Sequence, residues 1–438
     1  MPYCTQHFCF YMNLVNNLII LAVYKCPKSV HTFYFNVYSV PYNYNKTISV
    51  WEYRYEMKRI YHLADTHIGY SAYRKIDEAT GLNQREVDTY KAFKQFVDYA
   101  LKDPPDVILH AGDMFDSVRP TNRAISFVLT QLIRLSEAGI PFVVISGNHE
   151  TPRLKETGSV FSLFEHIPGV YVVHRNKYET IELDDITVHA IPHCDDIEGE
   201  KDKIKVDKNG FNLAMLHAGI KVRGKPVPVF TMGEINEQII SIDNLRGLDY
   251  IALGHYHRCT KVREDAYYAG STERFSFGEV GDNKGFLEVR LLDDGTRKVI
   301  FHQLRIRDML DLEPVVCDGL DAGEIRRMIK TRILDCNPDD KIVRLRVLGI
   351  PLHVYHSLDF DEFKRLTKHA VHFEMRYEFK REEGGPSSYS SASQSAFHSL
   401  HTEFEKFVDG YPETLHIDKR RLKELGLEYM RNWNPNDE

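Results

Sequence analysis

Polar residues of the types that bind metal ions follow short apolar runs at five places in the chain. In "LADTHIGY" an Asp and a His stand two residues apart, and the side chains of residues i and i+2 of an extended chain share one face. The other four places are "GDMFD", "GNHE", "LHAG" and "GHYH". The residues concerned are Asp65, His67, Asp113, Asp116, Asn148, His149, His217, His255 and His257.

Four His, two Asp and one Asn of this set offer nitrogen and oxygen donors without a thiolate. Such a mixed set suits Mn²⁺, Fe or Zn²⁺ better than the all-oxygen sites of Mg²⁺ or Ca²⁺. Seven donors are too many for one tetrahedral ion, but they fit two ions that share a bridging carboxylate. Because two such ions activate water and bind phosphoryl oxygens, the set predicts hydrolysis of phosphate esters. The sequence lacks a phosphate-binding GxxxxGK[ST] loop, which excludes an NTPase of that kind.

Each of the five places also has a common structural explanation. An Asp-x-His pair arises by chance, a His at a strand end is most often a hydrogen-bonded structural residue, and Asp116 could cap the next helix. The metal interpretation depends on all five places occurring in this order, each after a strand-like run. A purely structural set is the alternative.

Apolar runs and helical patterns predict the elements that carry these residues. From 57 to about 305, strands such as "DVILHAGD" and "PFVVISGN" alternate with helical patterns over 86–101 and 121–137, the second with Thr121 as its N-cap. This alternation predicts an α/β layered fold, in which ligands bind where strands end. The polar residues should therefore converge on one edge of a sheet.

The following segments predict three further parts of the chain. Residues 306–382 combine alternating strands such as "KIVRLRV" with helices near 321–334 and 360–370, which is typical of a small α+β domain. Residues 383–396 are rich in Gly and Ser and predict a flexible linker. Residues 397–438 contain two amphipathic patterns, which predict a helical segment that docks on a partner.

The first 56 residues differ from the rest in being rich in Tyr, Phe and Asn without a clear period. Their most apolar run, "FCFYMNLVNNLIILAVY", contains three Asn and is shorter than the ~20 residues that a spanning helix needs. We interpret residues 1–56 as an unstructured or non-functional extension and Met57 as the start of the working domain. A membrane anchor is the alternative.

Composition sets broad limits on the class of protein. A net charge of -7 over 438 residues gives no global indication of nucleic-acid binding, although a local basic patch is not excluded. Seven Cys without a CxxC pair indicate free thiols in a reducing compartment rather than a disulfide framework or a thiolate zinc site.

The series "DTHIGY … GDMFD … GNHE … LHAG … GHYH" resembles the calcineurin-like metallophosphoesterase superfamily. Within it, "DTHIGYSAYR", "YYAGSTERFSFGEVGDNKGF" and the order of the segments are similar to the SbcD-type nuclease subunits of double-strand-break repair complexes and their archaeal and eukaryotic counterparts. The resemblance is strong over residues 57 to about 290 and looser from there to 382. Beyond residue 382 it rests only on the order of the segments. It implies a layered metallophosphoesterase sandwich of sheets flanked by helices, a small α+β cap domain that binds DNA, and a C-terminal helical tail.

The resemblance also implies a role for each residue at the five places. The metal ligands divide into a first-ion set of Asp65, His67, Asp113 and His257 and a second-ion set of Asp113, Asn148, His217 and His255. His149 would act on the leaving oxygen or the transition-state charge without holding a metal. The cofactor would be two Mn²⁺ ions per chain, with Fe or Zn²⁺ as alternatives.

Two positions depart from the family pattern. Asp116 stands where archaeal and eukaryotic members often have His, so a catalytic role does not transfer, and a helix cap or a hydrogen-bond acceptor stays open. Glu150 stands where the family commonly has Asp, and its longer carboxylate would still orient His149.

The function that the resemblance implies is a Mn²⁺-dependent DNA nuclease in the cytoplasm, associated with the nucleoid. It would act as a 3′-to-5′ exonuclease and single-strand endonuclease on single-stranded DNA and duplex ends. Its partners would be a second copy, bound through the nuclease domain, and an SbcC-type ABC/SMC-like coiled-coil ATPase, with no membrane involved. The alternatives are a phosphatase or small-molecule phosphodiesterase of the same fold and a non-catalytic scaffold. Arg344 and Arg346 are either contacts to DNA phosphates or solvated side chains.

Overall fold

We describe the protein from a computed structural model. The described residues are 7–14, 17–25, 33–41, 51–55, 57–151, 158–207, 210–222, 225–226, 238–292, 294–380, 404, 408 and 418–432. The chain divides into two compact units, Met1–Lys380 and Arg381–Glu438, and each is described by itself.

The first unit contains strands β1 to β23 and helices α1 to α6. The strands are β1 (His7–Leu14), β2 (Asn17–Lys25), β3 (Phe33–Pro41), β4 (Trp51–Tyr55), β5 (Met57–Leu63), β6 (Val107–His110), β7 (Phe142–Ile145), β8 (Val170–Val173), β9 (Glu179–Leu183), β10 (Ile186–Ile191), β11 (Phe211–His217), β12 (Gly219–Val222), β13 (Lys225–Pro226), β14 (Ile239–Ser241), β15 (Tyr250–Gly254), β16 (Thr260–Arg263), β17 (Ala266–Tyr268), β18 (Gly285–Leu292), β19 (Arg297–Gln303), β20 (Met309–Asp311), β21 (Val315–Val316), β22 (Ile342–Ile350) and β23 (His372–Phe379). The helices are α1 (Gln84–Lys102), α2 (Asn122–Glu137), α3 (Ile197–Lys201), α4 (Ala322–Cys336), α5 (Leu352–His356) and α6 (Phe360–Leu366), with 3₁₀ helices at Val160–Leu163 and Phe277–Glu279.

Two six-stranded sheets pack face to face and form the larger domain. Their strand orders are β19-β18-β5-β6-β7-β8 and β16-β17-β15-β11-β10-β9. Apolar side chains from both sheets, among them Leu109, Val143 and Leu213, fill one core between them. Helices α1 and α2 cover the outer face of the first sheet, where Phe96 and Leu132 enter a second core. The predicted layered α/β sandwich is thus confirmed.

The neighbouring central strands of both sheets run parallel, β5 to β8 in the first and β10, β11, β15 and β17 in the second. Their carboxyl ends therefore lie at common edges, where the loops that follow them meet. Helix α2 begins where the sequence predicts, because the Thr121 hydroxyl accepts a hydrogen bond from the N–H of Ala124. Helix α1 is capped in the same way by the side chain of Asn83.

A smaller domain, called the cap here, covers β20 to β23 and α4 to α6. Strand β22 pairs in parallel with β20 and β21 and also with β23. Helix α4 begins with a capping box between Asp321 and Glu324 and buries Ile325, Ile329 and Ile333 in the core of the cap. The helices predicted near 321–334 and 360–370 correspond to α4 and α6, while the exact domain boundaries stay predictions.

Paired charges join the cap to helix α1 of the larger domain. The guanidinium of Arg307 donates to both oxygens of Asp88, at 2.7 and 2.8 Å, and to Asp340 at 2.8 Å. Asp88 is only 4% exposed and also accepts from Arg85 at 2.8 Å. Arg85 in turn lies 3.2 Å from Glu273. A buried carboxylate thus holds two guanidinium groups, one from each side of the junction.

Replacement of Arg307 by alanine should weaken this junction. Charge-assisted hydrogen bonds to a buried carboxylate are lost while Asp88 keeps Arg85, so we expect a loss of about 2–3 kcal/mol in the free energy of unfolding. Urea unfolding measures the loss. The matched control is Arg305→Ala, because Arg305 is exposed and its change should stay within about 0.5 kcal/mol. Equal midpoint urea concentrations for unfolding of the two variants would show that the network does not stabilise the junction.

The two ends of the chain are described less fully. The backbone of the predicted extension contains an antiparallel sheet in the order β1-β2-β3-β4, and its lack of function stays a prediction. The second unit contains α7 (Lys419–Asn432), and the carboxylate of Asp418 accepts from the N–H groups of Arg420 and Arg421. The linker predicted over 383–396 and most of the first amphipathic pattern lie outside the described residues. Among the helices that the structure describes, none is both long enough and apolar enough to cross a bilayer.

Candidate metal centre

The nine polar residues at the five places all lie at strand ends that meet. They occur after β5 (Asp65, His67), after β6 (Asp113, Asp116), after β7 (Asn148, His149), at the end of β11 (His217) and after β15 (His255, His257). The loops after β5 and β6 run side by side, because the N–H of Asp65 donates to Gly112 and that of His67 donates to Asp113. The convergence predicted from the sequence is therefore present in the structure.

Four of these residues have a backbone conformation that is rare outside glycine. The φ angles are 51° at Asp65, 42° at His67, 51° at Asp113 and 102° at His255. Such conformations cost of order 1–3 kcal/mol each and cluster at functional sites. Close approach also requires glycine at two neighbouring positions, since a Cβ at Gly112 would meet the ring of His217 and one at Gly147 would meet the carboxylate of Asp113.

The first group of donors centres on two facing histidines. The Nε2 atoms of His67 and His257 lie 3.2 Å apart. One carboxylate oxygen of Asp65 lies within 4.8 Å of a ring nitrogen of each histidine. Asp113 Oδ2 lies 3.8 Å from His67 Nε2. Two imidazole nitrogens and two carboxylates that face one point form a donor set for a divalent cation.

The second group of donors adjoins the first through Asp113. Its Oδ2 atom lies 3.2 Å from His217 Nε2, and that nitrogen lies 2.9 Å from Asn148 Oδ1. Asn148 Oδ1 is also 3.3 Å from His255 Nδ1. Asp113 therefore stands between the two groups, which is the position that a bridging carboxylate needs.

Burial makes the negative charges of this site dependent on positive partners. Asp65 is 0% exposed and Asp113 is 2% exposed. Burial acts to raise the pKa of Asp113, but His217 and His67 outweigh it and hold the pKa well below its usual range. Burial acts to lower the pKa of His217, but Asp113 raises it to about 9. Since buried carboxylates require a cation, and the donors are nitrogen and oxygen, these residues fit a divalent dimetal centre.

Neighbouring groups fix the orientation of the donors. His217 Nδ1 donates to the carbonyl of Ala111 at 2.8 Å, so its Nε2 faces the site. The carboxylate of Glu150 accepts from the N–H groups of Phe115 at 2.6 Å and Gly147 at 2.8 Å. Glu150 thus ties the loop of Asp113 to the loop that carries Asn148. This contact differs from the expectation that Glu150 orients His149.

Asp116 lies at the edge of the site beside two histidines and does not cap helix α2. Its Oδ1 lies 3.4 Å from Nδ1 of His67, and its backbone carbonyl accepts from Nδ1 of His149 at 3.1 Å. The N-cap of α2 is Thr121. The residue therefore holds His149 through its backbone carbonyl, and its carboxylate lies near His67.

A cleft of about 790 Å³ opens between the donors and the cap. The side chain of His149 lines it, is 34% exposed and has its Nε2 4.0 Å from Asp113 Oδ2. Arg344 of the cap also lines the cleft, with its guanidinium paired to Asp311 at 2.7 Å and placed 4.5 Å from the ring centre of Phe277. Arg344 is thus held in place by the cap and not freely solvated.

Sequence reasoning missed two residues that contact the donors. The ring of Phe275 lies 4.8 Å from that of His67 and 5.3 Å from that of His257, measured between centroids. Glu279 lies behind His257; burial acts to raise its pKa, but His257 and Lys284 lower it to about 2. Both belong to "ERFSFGE", a stretch that carried the family resemblance without a residue-level role.

Comparisons with known proteins agree with this arrangement. Residues 58–259 match the family model described as "Calcineurin-like phosphoesterase". The chain is 33% identical over 205 residues to the DNA double-strand break repair protein Mre11 of Sulfurisphaera tokodaii. The aligned stretch covers 45% of this chain and 49% of that protein. The protein of the same name from Saccharolobus solfataricus is 31% identical over 216 residues, or 48% and 52% of the two chains. The protein of that name from Sulfolobus acidocaldarius is 27% identical over 307 residues, which make up 67% of this chain and 74% of that protein. The chain thus spans about half the length of the first two relatives.

Proposed function

We propose that the chain is a two-metal phosphodiesterase that cleaves DNA in double-strand-break repair, since residues 58–259 match the calcineurin-like phosphoesterase model. The observation that carries the proposal is the convergence of nitrogen and oxygen donors around Asp113, whose Oδ2 lies 3.8 Å from His67 Nε2 and 3.2 Å from His217 Nε2. The names of three relatives, all of them DNA double-strand break repair proteins, support DNA as the substrate.

The proposed metal ligands are the seven donors that the sequence singles out. The first ion takes Asp65, His67, Asp113 and His257, and the second takes Asp113, Asn148, His217 and His255. We propose Mn²⁺ for both, with Fe or Zn²⁺ as alternatives, because the set mixes nitrogen with oxygen donors. When bound, two such ions supply a water of lowered pKa and compensate the negative charge of the phosphate.

His149 is proposed as the residue that moves a proton at the reacting phosphate. Its Nδ1 donates to the carbonyl of Asp116 at 3.1 Å, which fixes the ring, and the ring lines the cleft. This histidine holds no metal in the proposed assignment. Protonated at Nε2, it would donate to the leaving oxygen of the cleaved ester.

The lining of the cleft favours a nucleic acid over a small phosphate monoester. Tyr70, Tyr73 and Phe275 line it together with Arg258 and Arg376. Aromatic faces beside guanidinium groups are typical of surfaces that bind single-stranded nucleic acid, since bases stack on the rings. The lining therefore favours single-stranded DNA as a substrate. From the resemblance to SbcD-type nucleases we also propose duplex ends as substrates, with 3′-to-5′ exonuclease and single-strand endonuclease activity.

The test of this function compares two kinds of substrate. Radiolabelled single- and double-stranded DNA are incubated with the chain and either Mn²⁺ or Mg²⁺, beside a chromogenic phosphate monoester. We expect cleavage of DNA with Mn²⁺ and little hydrolysis of the monoester. Rapid hydrolysis of the monoester without cleavage of DNA would favour the phosphatase alternative. Inertness towards both, without bound metal, would favour the scaffold.

The C-terminal tail is proposed to bind the coiled-coil ATPase, while a second copy binds through the nuclease domain. Leu422 and Leu425 of α7 are 41% and 48% exposed, so the helix presents apolar side chains that a partner helix could cover. Deletion of residues 384–438 should leave Mn²⁺-dependent cleavage of single-stranded DNA within about twofold of the full chain. It should abolish co-purification with the ATPase and remove ATP-stimulated processing of duplex ends.

Point variants separate a docking role from a general effect of the deletion. The double variant Leu422→Glu/Leu425→Glu should lose ATPase binding as the deletion does, because charge replaces the apolar contacts. The exposed Arg420 on the same helix provides the control, and Arg420→Ala should bind normally. Unchanged affinity of the truncated chain for the ATPase would remove the tail from the interface.

A further inference from the structure

The second nitrogen of His257 faces a carboxylate that the proposed metal set does not use. Nδ1 of His257 lies 3.3 Å from Oε1 of Glu279, while its Nε2 lies 3.2 Å from Nε2 of His67. Glu279 is the last residue of the 3₁₀ helix Phe277–Glu279, and its side chain is 12% exposed. The imidazole ring is therefore held between a buried carboxylate on one side and the first group of donors on the other.

A fully buried lysine fixes both the carboxylate and the backbone of this histidine. Nζ of Lys284 donates to Oε2 of Glu279 at 2.6 Å and to the carbonyl of His257 at 2.7 Å. Its third hydrogen bond goes to the hydroxyl of Ser271 at 2.9 Å, and its side chain is 0% exposed. The hydroxyl of Ser276 donates to Oε1 of Glu279 at 3.2 Å. The two carboxylate oxygens of Glu279 thus have different main partners: Oε2 accepts from Lys284, and Oε1 faces the ring of His257.

The hydrogen-bond partners decide which ring nitrogen carries the proton. Lys284 can only donate, so it requires an acceptor at Oε2, and the ionised carboxylate then also presents an acceptor to Nδ1 of His257. The proton of the neutral ring is held on Nδ1, which leaves the lone pair of Nε2 for a cation. A carboxylate behind a histidine ligand fixes its tautomer and orientation and makes it a better donor.

We propose that Glu279 is a positioning residue, which holds His257 in the orientation and tautomer needed to bind the first metal ion. The inference rests on the proposed metal assignment and deepens it. It also makes the two ions unequal. His257 of the first set is supported by a carboxylate, whereas His217 of the second set is supported by the carbonyl of Ala111.

The decisive variant is Glu279→Gln, which keeps the shape of the side chain and removes its charge. A Gln side chain has one acceptor oxygen and one donor NH₂ group, while both of its neighbours, Lys284 and Nδ1–H of His257, are donors. If the oxygen stays with Lys284, the NH₂ group faces His257 and forces the proton onto Nε2. The first ion should then bind about 10–100-fold more weakly, as is typical when such supporting residues are lost.

Equilibrium titration of the full chain with Mn²⁺ measures the affinity for each ion directly, by calorimetry and by the electron paramagnetic resonance of free Mn²⁺. We expect the first-ion affinity to fall by the stated factor and the second to change by less than about threefold. Glu264→Gln is the matched control, since Glu264 is 82% exposed and its carboxylate pairs with Lys261 at the surface. This control should bind both ions as the unaltered chain does.

A second variant distinguishes positioning from packing. Glu279→Asp keeps the charge and shortens the side chain, so a positioning role predicts that it retains more first-ion affinity than Glu279→Gln. A packing role predicts the reverse order, because Gln fills the space better. Unchanged affinity in folded Glu279→Gln, or the reverse order, would overturn the proposal. The comparison uses no substrate, so it decides the role of Glu279 whether or not the chain cleaves DNA.

Discussion

Replacement of Asp113 by alanine should remove both metal ions and reduce hydrolysis to the level of the metal-free chain. Oδ2 of Asp113 lies 3.2 Å from Nε2 of His217 and 3.8 Å from Nε2 of His67, so one carboxylate serves both donor groups. Oδ1 of the same carboxylate accepts from the N–H of His149 at 3.0 Å. Its removal therefore damages both sites and releases the loop that carries His149.

Two measurements test this result. Metal analysis after gel filtration should find less than one ion per chain in Asp113→Ala, and the nuclease assay should show no Mn²⁺-dependent product. The comparison variant is His257→Ala, which should weaken mainly the first ion because His257 belongs to one donor group. A surface control is Asp98→Ala, since Asp98 is 44% exposed and pairs with Lys94 and Arg134, none of which is a donor of the site. Two tightly bound ions in Asp113→Ala would show that the bridging assignment is wrong.

The positions of the donor residues could be predicted because each follows a strand of recognisable apolar pattern. Parallel strands end at a common edge, so residues as distant in sequence as Asp65 and His255 meet without any local signal. In the structure the N–H of His255 donates to the carboxylate of Asp65 at 3.0 Å. The start of α2 could be predicted for a local reason, since Thr121 carries its own capping oxygen.

The supporting residues could not be predicted because their partners are remote or aperiodic. Glu279 and Lys284 are five residues apart in an irregular stretch, and neither a helix nor a strand period brings them behind His257. Arg307 reaches Asp88 across 219 residues, a pairing that depends on how the cap sits on α1. In the same way, Arg344 alternates on β22 as a solvated arginine would, and only the cap geometry places it against Asp311 and Phe277.

Replacement of His149 by alanine should separate the chemical step from metal binding. The ring lines the cleft, and its Nδ1 donates to the carbonyl of Asp116 at 3.1 Å. In the proposed assignment the ring holds no ion, so both ions should remain. Loss of a positioned proton donor typically lowers a rate by ~10²–10⁴-fold, and we expect kcat to fall by about that factor.

Several observations must hold together for this role of His149. Metal content and DNA affinity should match those of the unaltered chain, while kcat falls and KM stays within about threefold. A substrate with a better leaving group than a deoxyribose oxygen, such as a nitrophenyl ester of a nucleotide, should recover much of the lost rate, because its departure needs no proton. His166→Ala serves as the control, since His166 is an exposed histidine outside the site. Normal turnover of DNA by His149→Ala would exclude the residue from the mechanism, and loss of a metal ion would instead make it a ligand.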